Sequence, residues 1–258
     1  MNKVAKNAVW IIGIRVVQAV VAMLINMLTA RYLGPSGFGL ITYASSLVAF
    51  VLPIMQLGLS NVLVQEIVNN PNDEGKILGT SITLSFISSI CCIVGVTAFA
   101  FVANPDEPTT ILVCFLYSLI LIFQAFDYVE YWYQAKLMSK YTSMISLVAY
   151  IVVSIYKIFL LVNGKSVYWF AISNALDYVL ISSGGLLLYR KLGGSKLKFS
   201  IETGRMMFEK SKHYILSSMM VTVFAQTDKI MLKMMLNESA TGYYGAAVTC
   251  AGLSLIHI

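Results

Sequence analysis

The sequence predicts an all-α, polytopic membrane protein, and three observations predict it. Apolar residues make up 58% of the chain and charged residues 12%, about half the charged share of a soluble domain. The mean hydropathy is +0.78, more apolar surface than one soluble core can hide but what a bilayer accommodates. The apolar residues also fall in long runs divided by short polar breaks, and a helix crosses the hydrocarbon layer in about 20 such residues. The formal charge of +6 therefore poses a question of placement across a membrane and is no signal of nucleic-acid binding.

The first run, 7–30, follows Lys3 and Lys6 and resembles a signal peptide. It is too long for one, Arg15 interrupts it, and no small-x-small cleavage site follows, so it reads as a retained first crossing. Gly34-Pro35-Ser36-Gly37 ends it, and the second helix, 38–63, contains Pro53, which should kink it. Asn70-Pro71-Asn72-Asp73 precedes the third helix, 77–102, and Asn104-Pro105-Asp106 the fourth, 110–132. Gly75 and Gly79 at the start of the third helix form a small-residue pair suited to close packing. The fifth, 141–162, and sixth, 167–189, are divided at Asn163-Gly164. The longest connection runs from Arg190 to Lys212, opens with Gly193-Gly194, and carries Met206, Met207 and Phe208 among basic residues. It reads either as an interfacial helix on the inner leaflet or as a solvated basic loop that sets topology. A seventh helix spans 213–236, and an eighth starts near 242. The chain thus divides into a six-helix bundle (1–190), a basic linker (191–212) and the start of a second bundle (213–258).

With the N-terminus inside, the cytoplasmic side receives Lys3, Lys6, Lys76, Lys136, Lys140, Arg190, Lys191, Lys196, Lys198, Arg205, Lys210 and Lys212. The outer side receives Arg31, Lys165 and Lys233. That asymmetry places the N-terminus in the cytoplasm.

Several helices carry a polar face, because residues three or four apart lie on one side. Arg15, Gln18, Asn26 and Thr29 share a side of the first helix, and Ser143, Ser146, Tyr150, Ser154 and Lys157 share one of the fifth. Ser218, Thr222, Gln226, Lys229 and Lys233 do so in the seventh, and Tyr117, Gln124, Asp127 and Tyr131 in the fourth, with Asn174 and Asp177 on the sixth. A charge at helix centre costs at least about 2.5–3.5 kcal/mol, so polar faces on many helices point to a shared, water-filled cavity. Arg15, Gln18, Asn26, Lys157, Gln226 and Lys229 are the candidate substrate-cavity residues. Arg15 and Lys157 have a second reading as cations that snorkel to the headgroups. Asp127, Asp177 and Asp228 are the candidate proton- or ion-coupling residues. Asp228 and Lys229 are adjacent and point about 100° apart, so one faces the cavity and the other a neighbouring helix.

Cys91, Cys92, Cys114 and Cys250 lie within apolar runs at no metal-ligand spacing, with only His213 and His257 to help. No nucleophile motif or phosphate-binding glycine loop occurs, so the chain reads as a non-enzyme with no catalytic residue, metal or cofactor.

The seventh helix and its exit echo the opening. Met27-Leu28 precedes Leu33-Gly34-Pro35-Ser36-Gly37-Phe38-Gly39, and Met231-Leu232 precedes Leu236 and Gly242-Tyr243-Tyr244-Gly245. Both helices enter from the inside, which implies a parallel repeat six helices apart. At these residues the chain resembles the polysaccharide transporter, or oligosaccharide flippase, branch of the multidrug, oligosaccharidyl-lipid and polysaccharide exporter superfamily. The matching stretches are Asn7 to Arg15, Ala30 to Gly39 with Tyr43, Leu57-Gly58-Leu59, Asp127 with Trp132-Tyr133-Gln134, Lys210-Ser211, Asp228 to Leu232, and Gly242-Tyr243-Tyr244.

The resemblance implies twelve to fourteen helices in two pseudosymmetric bundles. It implies alternating access that carries an undecaprenyl-diphosphate-linked oligosaccharide across the bacterial inner membrane, with cavity cations on the first and seventh helices, where Arg15 and Lys229 stand. The implied partners are the lipid-linked oligosaccharide, the bilayer, and a glycan polymerase or other assembly proteins, with no nucleic acid. Eight helices do not build two such bundles, so the chain reads as the N-terminal part of a longer protein, and the tail Leu253 to Ile258 as a sequencing or assembly artefact. An ion-coupled multidrug antiporter is the competing transport reading, disfavoured because the first helix carries Arg15 and no acid. A non-transporting scaffold or inactive fragment is the third.

Overall fold

The computed structural model describes the backbone of residues 3–254 and the side chains of 13–251. Met1, Asn2 and the tail from Leu255 lie outside the described residues. Among the described residues there is no strand, and ten α-helices account for most of the chain. They are α1 (Lys3–Met55), α2 (Ser60–Asn69), α3 (Glu74–Ala103), α4 (Pro108–Ser118), α5 (Ile120–Gln124), α6 (Val129–Ala135), α7 (Ser139–Val162), α8 (Val167–Lys191), α9 (Ile201–Met235) and α10 (Glu238–Ser254).

Length and apolarity mark five candidate spans among the described residues: Gly13–Asn69, Glu74–Ala103, Pro108–Ala135, Ser139–Val162 and Val167–Lys191. That is fewer than the seven or eight helices the sequence predicts, for two physical reasons. The first span is 57 residues long, about 85 Å if straight, far more than one crossing needs. It turns at Gly34, whose φ of 70° and ψ of 176° are not helical and lie where a side chain is disfavoured. The other reason is that α9 carries Asp228, Lys229 and Lys233 in its second half, and α10 is described over only 17 residues.

Hydrogen bonds sort the turns between helices onto two opposite ends. At one end the Tyr32 hydroxyl donates to the Lys165 carbonyl at 3.1 Å, Tyr168 to Thr109 at 3.4 Å, Ser36 to Glu238 at 3.1 Å, and Lys233 to Glu107 at 2.6 Å. At the other end Lys210 pairs with Glu66 at 2.6 Å, Lys136 with Glu74 at 2.9 Å, and Ser195 donates to Glu74 at 3.0 Å. Gly34 therefore sits at one end and Asn69 at the other, and the first span crosses twice. The helices from α1 to α8 make six alternating crossings.

Pro53 is followed within one turn by a true break, where Leu57 and Gly58 have φ of 51° and 65°. The carbonyls it frees are satisfied inside the protein: Gln56 accepts from the Tyr128 hydroxyl at 2.8 Å and Leu57 from Ser211 at 2.8 Å, as a broken helix in lipid requires. Close by, Leu63, Ile77, Leu78, Tyr133, Tyr189 and Met207 form a buried cluster. Trp132 closes edge-on against Tyr189 with ring centroids 4.9 Å apart. The other end is packed by Tyr43, Ala44, Ala100, Val113, Cys114 and Ala171. On α3 and α7, Val94, Val148, Ile155 and Val162 are more than half exposed; a soluble monomer rarely shows such faces, and a bilayer covers them.

The basic segment continues without a break into the helix that the sequence predicts as the seventh. Helix α9 runs from Ile201 to Met235 without interruption, with Ser200 capping its start by accepting from the Thr203 N–H at 3.3 Å. Its first turns lie on α3, where Gly204 faces Thr80 and Leu84 and the Ser81 hydroxyl meets the Met207 sulfur at 3.7 Å. Its last turns reach the opposite end of the bundle.

Candidate functional site

A polar cavity of about 300 Å³ opens between both arms of α1, the ends of α7 and α8 near Lys157 and Asn174, and α9 and α10. Asn26 and Thr29 line it from the first arm of α1, and Thr42 and Ser45 from the second. Lys157, Asn174 and Lys229 join its polar wall, with Tyr117 and Thr249. The hydroxyls of Thr29, Thr42 and Ser45 each donate to a carbonyl of their own helix, at 2.7, 2.9 and 2.8 Å. They still offer lone pairs to the cavity.

The two lysines decide what the cavity can hold. Lys157 Nζ donates to Asn174 Oδ1 at 2.9 Å and Lys229 Nζ to Gln226 Oε1 at 3.0 Å. Both acceptors are neutral. Among the described residues neither ammonium forms an ion pair with a carboxylate, although Asp177, one turn from Asn174, acts on Lys157 at longer range. Two cations in a confined space, neither in contact with a carboxylate among the described residues, favour an anion that brings its own oxygens.

Of the sequence candidates, Asn26, Lys157 and Lys229 line this cavity, and Gln226 orients Lys229. Arg15 is exposed and Gln18 half-buried on α1, and neither lines it. Asp228 turns to α10: one oxygen accepts from the Lys229 backbone N–H at 2.8 Å and the other from the Tyr244 hydroxyl. Asp127 lies in a second cavity of about 200 Å³ with Gln56, Gln124, Glu130, Tyr131 and Tyr178. The Oδ1 atoms of Asp127 and Asp177 and the Oε1 of Gln124 are buried without a hydrogen-bond partner, so each is free to accept a proton donor. Tyr178 is within electrostatic range of Arg15, Asp127 and Asp177.

Sequence reasoning missed the ion cluster that ties α9 to the six-crossing body. Lys233, with a side chain only 3% exposed, meets Glu107 at 2.6 Å and Glu238 at 3.3 Å. Glu107 lies beside Asp106 in a short turn and has no periodicity to single it out. The hydrogen bond from Lys233 holds the Glu107 carboxyl below its ordinary value, helped by Thr110. A depressed carboxyl stabilises the fold fully above its unfolded value, near 4.5, and that contribution is lost as pH falls through the folded value. Thermal unfolding of the purified chain should therefore lose stability below about pH 4, and this acid-side slope should flatten in Lys233→Met. An unchanged slope in the variant would count against the cluster as its source.

The family model described as "Polysaccharide biosynthesis protein" matches residues 4–256. No curated protein matches the chain, and no solved structure does.

Proposed function

Because this chain belongs to the polysaccharide biosynthesis protein family, we propose that it is a transporter, not an enzyme, and moves a lipid-linked oligosaccharide across the bacterial inner membrane. The N-terminus is cytoplasmic, and the cargo is an oligosaccharide on undecaprenyl diphosphate. The observation that carries this reading is the pair Lys157 and Lys229, which line one cavity and, among the described residues, donate to neutral acceptors. A diphosphate supplies the anionic oxygens that these ammonium groups lack, and charge-assisted hydrogen bonds in a low-dielectric site are strong. Asn26, Asn174 and the hydroxyl-bearing wall suit sugar hydroxyls.

Alternating access then requires α9 and α10 to part from the six-crossing body at one end and close at the other. The Lys233 cluster and the α1–α10 contact hold the end near Gly34 closed. The buried, unpartnered oxygens of Asp127 and Asp177 are the groups on which a coupling proton or ion would act.

Deletion at the native locus separates this reading from multidrug antiport. Loss of surface polysaccharide, with accumulation of its lipid-linked precursor and unchanged resistance to organic cations, is the expected result. Intact surface glycan with new drug sensitivity would reverse the assignment.

A further inference from the structure

The connection between α8 and α9 is a strap laid across the start of α3. The Lys198 N–H donates to the Gly75 carbonyl at 3.1 Å and the Ser200 N–H to Thr80 Oγ1 at 3.1 Å. The Tyr189 hydroxyl holds the Ser195 carbonyl at 2.6 Å, and the Ser195 hydroxyl reaches Glu74 at 3.0 Å. Gly75 and Gly79 make the seat. A Cβ on Gly75 would stand 2.5 Å from the Lys196 carbonyl oxygen, and one on Gly79 would stand 2.6 Å from that of Lys198.

The backbone groups turned to α3 thus belong to Lys196, Lys198 and Ser200, every second residue. That is the pattern of an extended chain, in which side chains alternate between two faces. Leu197, Phe199 and Ile201 share one face and are 40%, 52% and 77% exposed. Lys196 and Lys198 alternate with them along the strap, and these two with Lys191 and Arg205 are all exposed and, among the described residues, in no ion pair. At this end of the bundle, in segments 66–76, 136–140 and 190–212, ten Lys and Arg stand against five Asp and Glu. The buried carboxylates here, Glu66 and Glu74, are already matched by Lys210 and Lys136.

We propose that this strap is a docking surface for the anionic phospholipid headgroups of the bilayer its helices cross. It lies between Lys191 at the end of α8 and Glu74 at the start of α3, where two candidate spans end. At that depth an apolar face dips into the headgroup–acyl boundary while lysine and arginine stay among phosphates. A neutral surface would leave the cations unmatched, and a purely aqueous one would leave Leu197, Phe199 and Ile201 wet.

Chymotrypsin cleavage after Leu197 and Phe199, followed by mass spectrometry, tests the proposal on the purified chain in nanodiscs. Discs of phosphatidylcholine should be cut readily, and adding phosphatidylglycerol should slow cutting about tenfold or more, since each cation at an anionic surface is worth a factor of about five. Salt at about 0.5 M should restore cleavage by screening, and soluble glycerol phosphate should not protect. The variant Lys196→Gln/Lys198→Gln/Arg205→Gln keeps the cleavage sites and should lose the dependence on phosphatidylglycerol while its rate in neutral discs stays unchanged. Equal cleavage in both kinds of disc, or full protection of the variant, overturns the proposal. Protection by an acidic peptide in neutral discs, with no effect of phosphatidylglycerol, would assign the strap to a protein partner instead.

Discussion

Replacing Lys157 and Lys229 together with alanine at the native locus should lower surface polysaccharide by about tenfold or more, with the protein still present in the membrane at its normal level. Each lysine donates to a neutral amide oxygen and meets no carboxylate. Alanine breaks no ion-pair contact, and the charge that Asp177 loses with Lys157 acts only at longer range, so the fold should tolerate the change. The cargo loses two charge-assisted contacts, each worth about 1.5–3 kcal/mol. Lys157→Arg/Lys229→Arg keeps both charges and should recover part of the export. Arg15→Ala supplies a contrast, because Arg15 is exposed and does not line the cavity; its effect should be smaller than that of either lysine. Normal surface glycan in the double alanine variant would remove the cavity from the transport path. A loss of protein rather than of export would show a structural role instead.

The contrast between Arg15 and Lys229 shows how far the sequence could be read. Helical spacing places both on polar faces, and it separates Asp228 from Lys229 by their angular offset alone. Spacing is a property of one helix, however, and a cavity is a property of several. Asn26, Lys157 and Lys229 converge only because α1 folds back at Gly34 and α9 crosses the body. The apolar runs and their punctuation made the crossings legible, since length and hydropathy are local. The continuity of α9 through the basic segment was not legible: composition changes at residue 213 while the hydrogen-bonded ladder does not. Glu107 was hidden for a related reason. One acid of the adjacent pair Asp106 and Glu107 acquires a role only when Lys233, 126 residues away, is brought to it.

The same distinction gives the internal echo a physical meaning. As text it is a resemblance between Gly34-to-Gly39 and the stretch ending at Gly242 and Gly245. In space the two copies lie against each other. A Cβ on Gly39 would overlap the Glu238 carbonyl oxygen, and one on Gly242 would overlap that of Pro35. A Cβ on Gly245 would come within 2.7 Å of the Thr42 hydroxyl. Each glycine thus admits the backbone of the other copy, as small residues do where membrane helices meet. Ser36 donating to Glu238 at 3.1 Å, and Glu238 pairing with Lys233, join the same seam.

Gly39→Val or Gly242→Val should therefore force α10 off α1. Overpacking in a filled core costs about 1–3 kcal/mol, and more where backbone atoms must move; at the upper figure, docking weakens by about a hundredfold. The measurement is disulfide trapping between Ser36→Cys and Glu238→Cys in membranes, with the four native cysteines replaced. Oxidation should link the pair in the parent and fail in either valine variant. Gly95→Ala is the control, because a Cβ there meets nothing within 4 Å and trapping should be unchanged. If the seam is one closed state of an alternating cycle, the valine variants should also lose export, because the end near Gly34 cannot shut behind the cargo. Undiminished trapping in both valine variants would mean that α10 does not rest on α1 through these glycines. Undiminished export with trapping lost would separate the contact from transport.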